Sequence, residues 1–203
     1  MQSLIYPLLV FGVTAAWGGL HSWLASFQAK RLARRIFGPG VDRFYRLAFV
    51  LLAVVTLLPV LAMAAFLPSR VLWVIPTPWL FLTLTIQFLA MVLLVATALE
   101  TDVMAFAGVR QVLRPNQAHE NELVVSGLYR FVRHPLYFFS IILFWLFPYM
   151  TDLLLAFFLA GTLYFLLGTI PEERKLAATF GEAYEKYRQE VPWMIPGTKF
   201  KKK

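Results

Sequence analysis

Residues 47–67 read LAFVLLAVVTLLPVLAMAAFL, twenty-one positions without one charged side chain. At about 1.5 Å of rise per helical residue, such a run crosses about 30 Å of hydrocarbon. Four other stretches have the same character, roughly residues 3–25, 79–99, 135–150 and 153–171, the fourth span in chain order (135–150) being short enough to end among headgroups. With 60% apolar residues and 16% aromatics in 203 residues, the chain carries far more hydrophobic surface than one soluble core needs. The sequence therefore predicts an all-α, polytopic membrane protein of about five transmembrane helices. Residues 1–203 read as a single membrane domain, with a three-helix part over 1–100 and a binding part over 101–203.

Between the spans the charge is ordered. If the N-terminus is external, 18 of the 19 Lys and Arg residues fall on the inner side and only Arg70 lies outside, as the positive-inside rule requires. That distribution assigns the net charge of +8 to membrane topology and anionic inner-leaflet lipid rather than to nucleic acid. The first span has no Arg or Lys ahead of its apolar run and no small-residue cleavage site, so it is expected to be a retained helix. Cysteine is absent, which removes disulfides, thiolate nucleophiles and Cys-based metal sites. His21, His119 and His134 have no short ligand spacing, so no metal is expected.

Connections carry their own signals. Gly38-Pro39-Gly40 is a turn, and Pro76 and Pro78 delay the third span to Trp79. Pro148-Tyr149-Met150-Thr151-Asp152 reads as a tight turn between the last two spans, with Thr151 and Asp152 able to cap the second. After Glu173, Leu176, Phe180, Tyr184, Tyr187 and Val191 recur at helical spacing, which predicts a cytoplasmic amphipathic helix. Gly181 costs that helix about 1 kcal/mol relative to alanine and marks a bend or a close approach.

Most polar side chains of chemical interest flank the last two spans: Tyr129, Arg130, Arg133, His134, Pro135 and Tyr137, then Glu172 and Glu173, then Tyr184 and Tyr187. Singly, each has a plain structural reading. Pro135 fits a first helical turn, the arginines can snorkel, the glutamates can be solvated, and the tyrosines can form an interfacial belt. Together they are harder to dismiss, because a hairpin of two spans returns Glu172 to the membrane face of His134. Cations, carboxylates and aromatic rings then converge, a set suited to a ligand with an anionic end, a cationic centre and a flat heterocycle. S-adenosylmethionine has all three.

The combination Arg-His-Pro-x-Tyr, Glu-Glu and Phe-Gly-x-x-Tyr-x-x-Tyr resembles the membrane methyltransferase superfamily that includes isoprenylcysteine carboxyl methyltransferases and phospholipid N-methyltransferases. The resemblance covers about residues 100–197. It implies S-adenosylmethionine binding by Tyr129, Arg133, His134, Pro135, Leu136, Tyr137 and Glu172, by Asn121, Glu122, Leu123 and Val124, and more loosely by Gln111. Glu172 is the expected acceptor for ribose or ammonium groups, Arg133 and His134 the expected partners of a carboxylate. Glu173, about 100° around the helix, is expected to pair with a basic residue.

Prenylcysteine enzymes carry a substrate arginine four residues before the cofactor glutamate, where this chain has Gly168, and often histidine where Asn121 stands. The run 102–111, and His21-Ser22-x-x-Ala25 ahead of a basic loop, look more like the bacterial branch that includes thiol S-methyltransferases. The expectation is an inner-membrane methyltransferase with its site facing the cytoplasm, acting on a small or lipophilic thiol. Alternatives are a phospholipid amine or a prenylcysteine carboxylate as acceptor, a sterol-reductase-like NADPH enzyme, and a non-catalytic membrane subunit. No residue stands out as a catalytic base.

Overall fold

The computed structural model describes residues 2–114 and 123–198. It is built from helices: α1 (Gln2–Leu24), α2 (Phe27–Phe37), α3 (Val41–Phe66), α4 (Trp79–Glu100), α5 (Val103–Phe106), α6 (Val109–Leu113), α7 (Pro135–Trp145), α8 (Asp152–Phe180) and α9 (Glu182–Glu190), with a 3₁₀ turn at Gly127–Arg130. Strands β1 (Val71–Val74) and β2 (Tyr149–Thr151) form one antiparallel ribbon.

Four of these helices, α1, α3, α4 and α8, are long and apolar enough to cross a membrane. Leu51, Leu58, Phe81 and Phe88 are among the many large apolar side chains left exposed on them, which suits a hydrocarbon solvent and an integral membrane protein. The predicted span at 135–150 is corrected: α7 has only 11 residues and stops at Trp145. Pro148 has no N–H to continue the helix and disfavours α geometry in Phe147, and Tyr149–Thr151 pairs with Val71–Val74 instead of turning tightly. Capping by the Thr-Asp pair holds in part. Thr151 Oγ1 accepts from the Leu154 N–H at 3.1 Å, whereas Asp152 Oδ1 accepts from the Arg70 N–H at 3.0 Å.

The predicted amphipathic helix after Glu173 is also corrected. The transmembrane helix α8 runs on through Pro171 to Phe180, and Gly181, at φ 54°, separates it from the short α9. That positive φ is cheap only for glycine, so the bend is written into the residue that the sequence already marked. The basic stretch after α1 folds as the amphipathic α2, capped by Ser26 Oγ accepting from the Ala29 N–H.

The chain divides into two compact units. The first is Met1–Val74, Val103–His119 and Tyr149–Tyr164. Its core joins Val10 of α1, Ala64 of α3, and Leu153 and Ala156 of α8. The second is Ile75–Asp102, Glu120–Pro148 and Phe165–Lys203, in which α4 packs along α7 and Gln87 donates to the Leu143 carbonyl at 3.0 Å.

Candidate active site

The second unit assembles its polar groups at the N-terminus of α7. Glu100, the last residue of α4, accepts the Leu128 N–H on both carboxylate oxygens at 3.0 and 3.1 Å. Its carboxyl group fills the space a side chain on Gly127 would need, and Gly127 itself has φ 54°. Only glycine allows this approach. The consequence is that the 3₁₀ turn, and with it Tyr129, is anchored to a long apolar helix.

Four residues later the chain is tied to the C-terminal segment. Arg133 Nε donates to Glu173 Oε1 at 2.8 Å, and Nη1 donates to the carbonyls of Arg188 and Val191 at 3.0 and 2.8 Å. The backbone N–H of Arg133 adds a bond to the Pro192 carbonyl at 3.0 Å. Tyr187 closes the same join by donating its hydroxyl to the Tyr129 carbonyl at 2.7 Å. Charge-assisted bonds of this kind are the strong ones, so Arg133 acts here as a clamp on α9 and the residues after it.

His134 is buried between two carboxylates. Its Nε2 lies 3.2 Å from Glu173 Oε1 and its Nδ1 3.7 Å from Glu172 Oε2. The ring stacks on Tyr137 at 5.6 Å and 3°, and Tyr137 in turn stacks on Phe165. Tyr137 donates its hydroxyl to Glu172 Oε2 at 2.7 Å. Glu172 and Glu173 thereby differ in exposure: the side chain of Glu173 is 17% exposed, with Oε1 shared by Arg133 and His134, and that of Glu172 is 42% exposed. Glu172 Oε1 has no hydrogen-bond partner among the described residues.

Burial, reinforced by Glu172 and Glu100, pushes the Tyr129 phenol up to about 12. Burial also raises Tyr184 and Tyr187, and in Tyr184 the neighbouring Glu173 adds to it. All three therefore stay protonated donors at neutral pH. Tyr184 is fully buried, yet its hydroxyl has no partner among the described residues. On the Glu173 side of α8 lies a cavity of about 460 Å³, lined by Ile170, Glu173, Arg174, Ala177, Arg188 and Trp193.

Of the residues expected from sequence, Tyr129, Arg133, His134, Pro135, Leu136, Tyr137 and Glu172 come together in this unit, Pro135 as the buried first residue of α7. Leu123 and Val124 are partly buried just ahead of the 3₁₀ turn. Asn121 and Glu122 lie outside the described residues. Gln111 belongs to the first unit, where its Nε2 donates to the Ala105 carbonyl at 3.0 Å. Glu173 pairs with basic residues as its position on the helix predicts. Sequence reasoning missed Glu100. Its signal was available, since a carboxylate ending an apolar span asks for a partner.

Comparison with known proteins places the chain among its relatives. The model of the isoprenylcysteine carboxyl methyltransferase family matches residues 84–178. A methanethiol S-methyltransferase of Bradyrhizobium diazoefficiens is 35% identical over 199 residues, covering 96% of this chain and 67% of that protein. The methanethiol S-methyltransferase of Mycobacterium tuberculosis is 31% identical over 199 residues, covering 96% of this chain and 79% of that one. That of Pseudomonas deceptionensis is 39% identical over 107 residues, 51% of this chain and 40% of its own length. No solved structure matches the chain. With its Arg-His-Pro-x-Tyr turn hydrogen-bonded onto Glu172-Glu173, and with relatives aligned along nearly its whole length, this chain belongs to the isoprenylcysteine carboxyl methyltransferase family.

Proposed function

We propose that this membrane methyltransferase uses S-adenosylmethionine to methylate a small thiol, at the cytoplasmic face of a bacterial inner membrane. The observation that carries the cofactor reading is the inequality of the two glutamates. Glu172 is held by Tyr137 and His134 yet its side chain is 42% exposed, against 17% for Glu173, which leaves it the carboxylate able to meet a ligand. The unpaired, buried Tyr184 hydroxyl is a second polar atom whose partner would have to come from outside the described residues. Both fit a ligand with several hydrogen-bonding groups, since buried polar atoms are costly unless paired.

When bound, S-adenosylmethionine supplies an electrophilic methyl group on a sulfonium. The chain's part is to bind, orient and exclude water. Glu172 accepts hydrogen bonds from hydroxyl or ammonium groups, and Tyr137 fixes the rotamer in which it does so. Tyr129, Leu123, Val124 and Leu136 complete the binding set, to which the family resemblance adds Asn121 and Glu122. His134, with its two ring nitrogens facing Glu173 and Glu172, has the part of holding those carboxylates in place. Arg133 has most of its donors committed to Glu173 and two carbonyls, so its contribution is to close the C-terminal segment over the site. Pro135 starts α7 in the geometry that keeps His134 and Tyr137 stacked.

The acceptor reading draws on the relatives, whose names specify methanethiol, and on Gly168. Gly168 has no side chain to supply the cation that a prenylcysteine carboxylate needs in apolar surroundings. A neutral thiol enters without that cost. The test is calorimetric titration of the purified protein with S-adenosylmethionine and NADPH. It is joined to radiolabelled methyl transfer onto ethanethiol, phosphatidylethanolamine and N-acetyl-farnesylcysteine. Binding of S-adenosylmethionine with transfer to the thiol is expected; preferential binding of NADPH, or transfer to farnesylcysteine alone, overturns the proposal.

A further inference from the structure

The cavity on the Glu173 side of α8 lies outside the cluster that the cofactor reading uses. None of Tyr129, His134, Tyr137 and Glu172 lines it. Ile170, Arg174 and Ala177 follow one another at helical spacing on one face of α8, and Arg188 of α9 and Trp193 complete the wall, all within the second unit. Depth along α8 decides what can reach this wall. At about 1.5 Å of rise per residue, about 20 of the helix's 29 residues cross about 30 Å of hydrocarbon. Counted from Asp152, its first residue, the hydrocarbon boundary falls near Pro171. Arg174 lies about 5 Å further along the axis, at the depth of lipid headgroups. Leu167 and Ile170, both exposed on the same helix face, stay on the hydrocarbon side.

Charge then narrows the occupant. Arg174 is exposed and has no hydrogen bond or ion pair among the described residues. Arg188 gives Nη2 to Glu185 at 2.7 Å in a half-exposed pair, and such surface pairs are weak enough for a phosphate to compete. Glu173, the carboxylate in the wall, is already answered by Arg133 and His134. The cavity therefore presents two guanidinium groups beside an apolar surface. A free anion would use the cations and leave Ile170, Ala177 and Trp193 wet. An acidic protein segment would have to displace headgroups already present at that depth. An anionic phospholipid covers both surfaces at once, and an exposed tryptophan beside it is the usual companion of a headgroup layer.

We propose that this cavity binds one anionic phospholipid, its phosphate held by Arg174 and Arg188 and the upper part of an acyl chain laid on Ile170 and Leu167. Arginine suits the task because its planar fork meets phosphate oxygens with paired, charge-assisted bonds. Arg174 belongs to α8 and Arg188 to α9, so the headgroup bridges the bend at Gly181. Arg133 already holds the Arg188 carbonyl from within the protein at 3.0 Å. The lipid braces the same segment from the membrane side. The inference goes beyond the methyltransferase reading and does not depend on it.

The test is native mass spectrometry of the purified full chain in detergent, titrated with phosphatidylglycerol and with phosphatidylcholine of the same acyl chains. The wild type is expected to retain one phosphatidylglycerol in preference to phosphatidylcholine. Arg174→Gln and Arg188→Gln are each expected to weaken its binding about tenfold, the lower end for one charge-assisted bond. Arg174→Lys keeps the charge and should keep most of the preference, which separates lost charge from lost folding. Arg31→Gln with Arg35→Gln removes two positive charges from α2 and should change nothing at this site. Equal retention of the two lipids by the wild type overturns the proposal, as does full retention of phosphatidylglycerol when Arg174 and Arg188 are both glutamine. An equal loss in the α2 variant shows attraction by overall charge and overturns the discrete site. A loss confined to one of Arg174 and Arg188 overturns the bridge. Displacement of the lipid by millimolar inorganic phosphate shows that a free anion is the occupant and overturns the lipid.

Discussion

Replacing Glu173 and Glu172 in turn by glutamine separates holding from binding. At Glu173 the change removes the charge from a carboxylate oxygen shared by Arg133 Nε and His134 Nε2, in side chains 17%, 12% and 3% exposed respectively. Glutamine keeps one acceptor, and Arg133 keeps its two backbone carbonyls, so the loss falls below the full cost of breaking a buried pair. It should be about 2 kcal/mol. For a chain of 203 residues that is a fall in melting temperature of about 4–8 °C. At Glu172 the side chain is 42% exposed, so solvent screens the charge and little stability is lost. Its exposed carboxylate, however, is the group proposed to meet the ligand. S-adenosylmethionine affinity should fall about tenfold, the lower end of what one charge-assisted bond is worth. Melting curves in detergent and calorimetric titrations of both variants provide the measurement. A Glu172→Gln protein that melts early while binding normally, beside a Glu173→Gln protein that melts normally while binding weakly, would refute the division of roles.

Gly127→Ala should lower stability by about 1–3 kcal/mol, since it forces a side chain into positive φ and onto the Glu100 carboxyl. Combining it with Glu100→Ala should be less than additive, because the second change removes the collision; full additivity in denaturant melts would show that the two residues do not meet. The Tyr129 phenol is raised from 10.0 to about 12, so the fold favours its protonated form. The stability it contributes is complete below pH 10 and lost as the pH climbs towards about 12, and Tyr129→Phe should flatten that alkaline loss in denaturation measured across the same range. In this cysteine-free chain, an impermeant maleimide should label Ser69→Cys in intact cells and Gln189→Cys only after permeabilisation; the opposite pattern inverts the topology.

Hydropathy made the long spans legible because a membrane solvent imposes length and apolarity on a local stretch of chain. The same measure misjudged their ends. Asp42, Arg43 and Arg46 do not read as membrane-embedded, yet the helix begins at Val41 and carries them outward. Pro171 and the charges after it look like a stop, yet α8 continues to Phe180. Strand pairing between Val71–Val74 and Tyr149–Thr151 joins segments far apart in sequence, and no local pattern announces a distant partner. At the site, order and residue type were enough to bring His134, Tyr137 and Glu172 together. They were not enough to find that Arg133 is spent on backbone carbonyls, because a carbonyl acceptor leaves no mark on the identity of the residue that bears it.

The ribbon also sets an order of events at the ribosome. Val71–Val74 leaves the exit tunnel early, but the strand that pairs with it follows only after α4 and α7 have been made. At about 5–20 residues per second, the first strand waits several seconds with its amides and carbonyls uncommitted. An apolar edge of that kind invites pairing with another nascent chain. Synthesis that stalls within α7 would therefore leave a product already inserted in the bilayer and already adhesive, and membrane quality control would have most to do in that interval.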